Sequence, residues 1–176
     1  DLGIYANFSI GDSKSVVTKW NNTSKVIGYT GGIVGDANAK ANAYAGETWG
    51  DIWGFETDRY FTENDFEGKN ANGSWIYKKG VADQTAIQTG TFVYGPGDIK
   101  YKDLNGDGKI DGGKGTADDH GDLKVIGNTL PRYEYSFHIG GNWKGIDLDL
   151  FFQGVGKRDM WTTSSLVFPE MRDADL

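Results

Sequence analysis

The most regular stretch of the chain lies between Arg132 and Gln153. Tyr133, Tyr135, Phe137 and Ile139 alternate with Glu134, Ser136, His138 and Gly140. After a polar connection at residues 141–145, Ile146, Leu148, Leu150 and Phe152 alternate with Asp147, Asp149, Phe151 and Gln153. Strand side chains have period two, so this pattern predicts a hairpin with one apolar and one polar face. A weaker hairpin is predicted at the start: Ile4, Ala6, Phe8 and Ile10 alternate with Tyr5, Asn7 and Ser9, residues 11–14 supply a turn, and residues 15–20 return. Each arm of the later hairpin is about as long as the roughly 9–11 residues that cross a bilayer as a tilted strand. The same pattern also suits one layer of a soluble antiparallel sandwich.

Residues 21–130 form a long polar excursion rich in Gly, Asn and Asp. Structureless loops beyond about 15 residues are uncommon in compact domains, so this stretch is expected to carry structure of its own. Residues 47–58 alternate and predict a strand pair or a bent strand. Residues 91–94 and 98–101 flank the turn Gly95-Pro96-Gly97, residues 63–73 read as the least ordered piece, and residues 81–87 hold the one candidate helical turn. The chain thus divides into a hairpin at 1–20, an excursion at 21–130, a hairpin at 131–156 and the start of another loop at 157–176. Short turns at 11–14 and 141–145 fall on one side of the expected sheet, and the long segments fall on the other. That asymmetry is typical of outer-membrane barrels, and Trp20 and Trp143 stand at strand ends where an aromatic girdle would place them.

Composition changes the picture in three ways. The 176 residues include 27 Gly, 6 Trp, 9 Tyr and 9 Phe, which favours strands and turns over helices. There is no Cys, which removes disulfides, thiolate metal sites and a Cys nucleophile. A net charge of −7 argues against nucleic acid as a partner. No apolar run approaches the about 20 residues of a membrane helix, but the mean hydropathy of −0.53 fits a barrel wall as well as a soluble domain. The first residues lack the pattern of a signal peptide, and both ends read as cuts through a longer sequence.

The residues with the most chemistry are at 103–111. Asp103, Asn105, Asp107 and Asp111, with Gly108 at the sixth position and the Lys109 carbonyl at the seventh, match the start of a calcium loop. Oxygens at alternate positions converge on a hard cation, and glycine permits the sharp turn. The twelfth position, normally a bidentate Glu, is Lys114. Asp118, Asp119 or Asp122 could close the site instead. Residues 103–122 hold six Asp against two Lys, so the segment either takes a cation, with calcium the candidate, or is a solvated acidic loop. No flanking helices are expected, so this is not an EF-hand pair. Catalytic patterns are poor: His120 and His138 are far apart, and neither a Ser nucleophile motif nor a phosphate-cradling Gly loop is present. The expectation is a protein that is not an enzyme. Trp49, Trp53, Tyr60, Trp75 and Tyr77 could stack on sugar rings or pack locally.

Several segments together carry a family resemblance. Residues 97–111, the Val125-Ile126-Gly127-Asn128 run followed by Pro131-Arg132-Tyr133, the segment 151–156 and the stretch 46–58 resemble, in order, the SusC-like TonB-dependent outer-membrane transporters of Bacteroidetes. The resemblance covers most of residues 1–160. It implies a plugged outer-membrane barrel of roughly 22 strands, energised through TonB, importing glycans or peptides with a SusD-like surface lipoprotein. The chain would be a late segment supplying four barrel strands in contact with outer-membrane lipid, with residues 21–130 facing the exterior. Asp122 matches the acidic residue that closes the loop in the family. The fold expectation is all-β: antiparallel hairpins forming part of a transmembrane β-barrel, with a long β-rich extracellular region. The rival reading is a secreted soluble β-domain binding calcium and carbohydrate or protein.

Overall fold

The computed structural model describes residues 2–27 and 43–160. Residues 161–176 of the loop expected at 157–176, and residues 28–42 of the excursion, lie outside the described residues. Regular structure among the described residues is β, apart from 3-10 turns at Glu63–Asp65 and Thr85–Ile87. The second of these falls in the expected helical turn.

Strand β1 is Leu2–Gly11, and the strands of the excursion are β2 (Asp51–Phe55), β3 (Thr57–Tyr60), β4 (Phe66–Lys69), β5 (Trp75–Tyr77), β6 (Ile99–Tyr101) and β7 (Leu123–Asn128). They are followed by β8 (Arg132–Trp143) and β9 (Ile146–Lys157). Strands β8 and β9 form the expected hairpin, with Phe137 opposite Phe152 and Ile139 opposite Leu150. Its turn is tighter than the sequence suggested. Trp143 pairs with Ile146, leaving Lys144 and Gly145 as the whole connection, at φ 49° and 83°. Two positive-φ residues in a two-residue loop give the turn whose twist matches the strands it joins.

The opening hairpin is corrected. Strand β1 does not pair with residues 15–20; it runs antiparallel to β8, with Ala6 opposite Ile139 and Phe8 opposite Phe137. The sheet is therefore three-stranded, in the order β1–β8–β9, rather than four-stranded, and it is open. The reason is the better apolar match: the faces of β1 and β8 coincide over ten residue pairs. Val16 instead bridges to Thr48. Trp20 lies in no strand and sits beside Trp49, with ring centroids 6.0 Å apart.

The register puts Leu2, Ile4, Phe8, Ile10, Tyr135, Phe137, Trp143, Ile146, Leu148, Leu150 and Phe152 on one face. That face is uncovered: Ile4 is 71% exposed, Phe8 62% and Ile146 68%. On the opposite face, Tyr5 lies over Gly140 of the central strand and donates its hydroxyl to Asp149 on the far strand. A Cβ at Gly140 would fall 2.3 Å from that hydroxyl, so glycine is what allows the reach.

Among the described residues the excursion holds three two-stranded sheets, β2 with β7, β3 with β6 and β4 with β5. The alternating stretch at 47–58 resolves as a bent strand. Its two halves, β2 and β3, pair with different partners on either side of Glu56. At the bend Glu56 binds the ammonium groups of Lys102, at 2.5 Å, and Lys124, tying both sheets together. These two ammonium groups hold the Glu56 carboxyl down to about 2. The core of this unit contains Ile52, Phe61, Phe66, Ile110 and Leu123. Residues 63–73, expected to be the least ordered, instead carry a 3-10 turn and β4, whose Phe66 packs on Phe61, Trp75 and Tyr77 at centroid distances of 5.1 to 5.2 Å. Residues 91–94 form no strand, while Gly95-Pro96-Gly97 turns as expected, closed by the Asp98 N–H on the Gly95 carbonyl at 3.1 Å.

Gln84, fully buried, substitutes for a missing strand beside β6. Its amide donates to the Ile99 carbonyl at 3.1 Å, and its carbonyl accepts from the Tyr101 N–H at 2.7 Å. Gln84→Leu leaves both backbone groups unpaired against a buried apolar side chain. The expected loss is about 2 kcal/mol, read by thermal unfolding of the intact protein together with faster amide exchange at Tyr101.

Candidate functional site

The 103–111 loop is wound by its own side chains. Asp103 accepts from the N–H groups of Gly106 at 2.6 Å and Gly108 at 2.9 Å. Asn105 accepts from the Asp107 N–H at 2.9 Å, and Asp107 from the Lys109 N–H at 2.8 Å. Asx residues favour such local turns, and Gly106 and Gly108, at φ 77° and 82°, supply the left-handed positions the winding needs. Asp103, Asn105 and Asp107 are thus held on one short loop, the last two exposed. The loop is anchored below by Ile110, fully buried, and at Lys109 by a parallel bridge to Asp83.

The three candidates for closing the site have separate engagements. Asp118 pairs with Lys25 at 2.8 Å, and Asp119 with Lys114 at 3.4 Å. Asp122 is 1% exposed, and its carboxylate accepts backbone N–H groups from Leu104 at 2.7 Å, Asn105 at 3.4 Å and Asp111 at 3.0 Å. It fastens the start of the loop to its end. Asp111 itself accepts from the Gly113 N–H at 2.8 Å. The Gly-rich insertion after it folds back tightly: Gly113 and Gly121 approach so closely that a Cβ on Gly121 would lie 2.4 Å from the Asp111 carbonyl.

Among the described residues, no group of three or more His, Asp or Glu side chains is arranged to hold a metal ion. The donors on the loop are of another kind: Asp103 and Asp107 carboxylates, the Asn105 amide oxygen and backbone carbonyls. Such all-oxygen sets suit a hard cation, and each side-chain oxygen retains lone pairs beyond the N–H it accepts.

Of the aromatic residues expected either to stack on sugars or to pack, Trp75 and Tyr77 pack on Phe66, and Trp53 lies 5.2 Å from the His120 ring. Tyr60 is 67% exposed. His138 stands on the polar face of the sheet, with Nε2 2.8 Å from Asp149 and its ring between Tyr5 and Phe151. The sequence could not show this three-strand cluster, because Tyr5 and Asp149 meet only once β1 is placed beside β8. A second feature missed was the seam where sheet and excursion meet. There Asn128 donates to the Trp49 carbonyl at 3.0 Å and to Asp51 at 2.8 Å, and its N–H meets Asp159 at 2.9 Å. Arg132 forms a two-pronged ion pair with Asp12 across the same seam.

Compared with family models, curated proteins and solved structures, the chain matches none.

Proposed function

We propose that the chain is a segment of a SusC-like TonB-dependent outer-membrane transporter. In this reading the β1–β8–β9 sheet is part of the barrel wall, and the excursion faces the exterior. The imported cargo is a glycan or peptide delivered with a SusD-like lipoprotein, and the energy comes through TonB. The observation that carries the reading is the uncovered apolar face of the sheet. An area of this size is abnormal for a water-facing surface and normal for a wall that meets lipid. Strand length agrees. At about 3.4 Å per residue, the 12 residues of β8 extend about 40 Å and span about 29 Å at a tilt of 45°, close to the bilayer core. Trp143 at one end of that face and Tyr135 at the other bracket Phe137 and Ile139, the order an aromatic girdle requires. One end of the β8–β9 pair closes in two residues, and the other opens into the excursion.

In the same reading, Asp103, Asn105, Asp107, the Lys109 carbonyl and Asp111 would hold a calcium ion that stiffens the outer loop, with Asp122 fastening the loop from beneath. The rival reading, a secreted calcium-binding β-domain, is favoured by one observation: the excursion has a core of its own.

The sequence has no Cys, so single cysteines report cleanly on this segment. Spin labels at Leu148 and Phe8 of the intact protein in outer-membrane vesicles should be relaxed by oxygen and shielded from a water-soluble nickel chelate. Labels at Asn7 and Ser136 should show the reverse. Equal exposure of both sets to the chelate would overturn the membrane reading in favour of the soluble domain.

A further inference from the structure

The sequence holds two Asn-Gly steps, Asn72-Gly73 and Asn105-Gly106. Such a step can close on itself: the glycine nitrogen attacks the preceding side-chain amide, and glycine has no Cβ to obstruct the approach. Both steps are exposed, and both glycines take positive φ, 84° at Gly73 and 77° at Gly106. They form a matched pair that differs in what surrounds the amide.

Asn72 sits in a plain turn. The Gly73 N–H donates to the Asn70 carbonyl at 3.0 Å, and among the described residues no hydrogen bond reaches the Asn72 side chain. A neutral carbonyl oxygen ties that N–H down without taking its proton. At Asn105 each reacting atom has a partner. The Gly106 N–H donates to the Asp103 carboxylate at 2.6 Å, so the attacking nitrogen lies against a base. The Asn105 amide oxygen accepts the Asp107 N–H at 2.9 Å, a donor placed where negative charge develops as the nitrogen adds. The Asn105 amide nitrogen, the leaving group, lies 3.4 Å from the Asp107 carboxylate. Asp122 holds the backbone beneath, accepting the N–H groups of Leu104 at 2.7 Å and Asn105 at 3.4 Å.

We propose that Asn105 is a self-modification site, converted by its own loop through a cyclic imide to aspartate or isoaspartate in preference to Asn72. The Gly106 nitrogen bonds to Asn105 Cγ, the Cγ–Nδ2 bond breaks, and ammonia leaves. The Gly106 proton passes by way of Asp103 and solvent to the departing nitrogen. Water then opens the imide at either carbonyl, so the sum is amide plus water to acid plus ammonia. One opening keeps the backbone and adds a carboxylate to the loop. The other routes the main chain through the side chain, lengthening it by the Cβ and leaving the Asp107 N–H without its acceptor. What either product does to a bound cation rests on the calcium reading above; the chemistry itself does not.

The intact protein is aged in chelator at neutral pH, and peptide mass spectrometry follows the amide-to-acid mass gain at both steps, with electron-transfer fragmentation separating aspartate from isoaspartate. Asn105 should convert at least about tenfold faster than Asn72, with isoaspartate among its products. In urea both steps lose their surroundings, and the two rates should converge. Asp103→Asn keeps an acceptor but removes the carboxylate, and should slow Asn105 about tenfold while leaving Asn72 unchanged. A merely structural Asp103 predicts the opposite sign, because loosening the loop would speed the reaction. Equal rates in the folded protein, a preference that persists in urea, absence of isoaspartate, or an Asp103→Asn protein that is not slower overturns the proposal. If Asp103→Asn fails to fold, the folded and urea-treated wild type decide. Replacing chelator with excess calcium separates the two readings: rates that ignore calcium would count against the calcium reading alone.

Discussion

Asp122→Ala is expected to destabilise the excursion by about 3–4 kcal/mol, with or without calcium. Asp122 is 1% exposed, and its carboxylate accepts the N–H groups of Leu104 and Asp111 at 2.7 and 3.0 Å. Alanine leaves both donors without a partner where water has little access, and each such group costs about 1–3 kcal/mol. The loop gives the contrast. Asp107 is exposed and accepts the Lys109 N–H at 2.8 Å and, at 3.4 Å, the exposed Asn105 amide. Asp107→Ala should change stability in chelator by less than about 1 kcal/mol, while removing any rise in Tm on adding calcium, because ligand binding to the folded state alone produces that rise. Thermal unfolding of both variants in chelator and in excess calcium separates the roles. If Asp122→Ala loses stability only in calcium, Asp122 is a metal ligand and its role as a backbone fastener is wrong. If wild-type Tm ignores chelation altogether, the loop is a solvated acidic turn.

The loop at 103–111 was legible because its turns are local. Each Asx side chain bonds a backbone group two to five residues away, so spacing along the chain contains the geometry. The role of Asp122 was not, since its carboxylate joins backbone 11 to 18 residues distant. The same division runs through the fold. The β8–β9 hairpin shows in the sequence because twelve-residue arms give the period-two pattern time to repeat. The alternation of β1 reveals its face but not its partner, which lies more than a hundred residues away, and Val16-Val17 resembles a returning strand although it bonds residues 46–49 instead. Strands of three to five residues in the excursion are too short to show any period. The order of residues 63–69 comes from Phe66 packing in an aromatic cluster and from Asp65, neither of which is periodic.

Asp65 supplies the other large effect. It is 4% exposed, and both its oxygens are gripped by the Arg59 guanidinium, at 2.5 and 2.7 Å, while Thr62 adds its N–H at 2.8 Å and its hydroxyl at 2.9 Å. Arg59, followed by Thr62, holds this carboxyl well below the usual carboxylate range despite the opposing effect of burial. A carboxylate whose value is depressed on folding stabilises the protein above its unfolded value, about 4, and that contribution is lost as pH falls through the folded value. Asp65→Asn should therefore cost about 2–3 kcal/mol at pH 7, and the gap to the wild type should narrow as pH drops below about 4. Arg59→Met should behave differently. It strands the buried carboxylate, whose protonation then becomes favourable on folding, so this variant should gain stability on mild acidification while the wild type does not. Thermal unfolding of the three proteins from pH 7 to 3 reads both signs, and parallel curves for all three would mean that the pair carries no net charge stabilisation. The asymmetry follows from exposure: the Arg59 side chain is 46% exposed and recovers water when its partner is removed, whereas Asp65, sealed under the Thr62 turn, cannot.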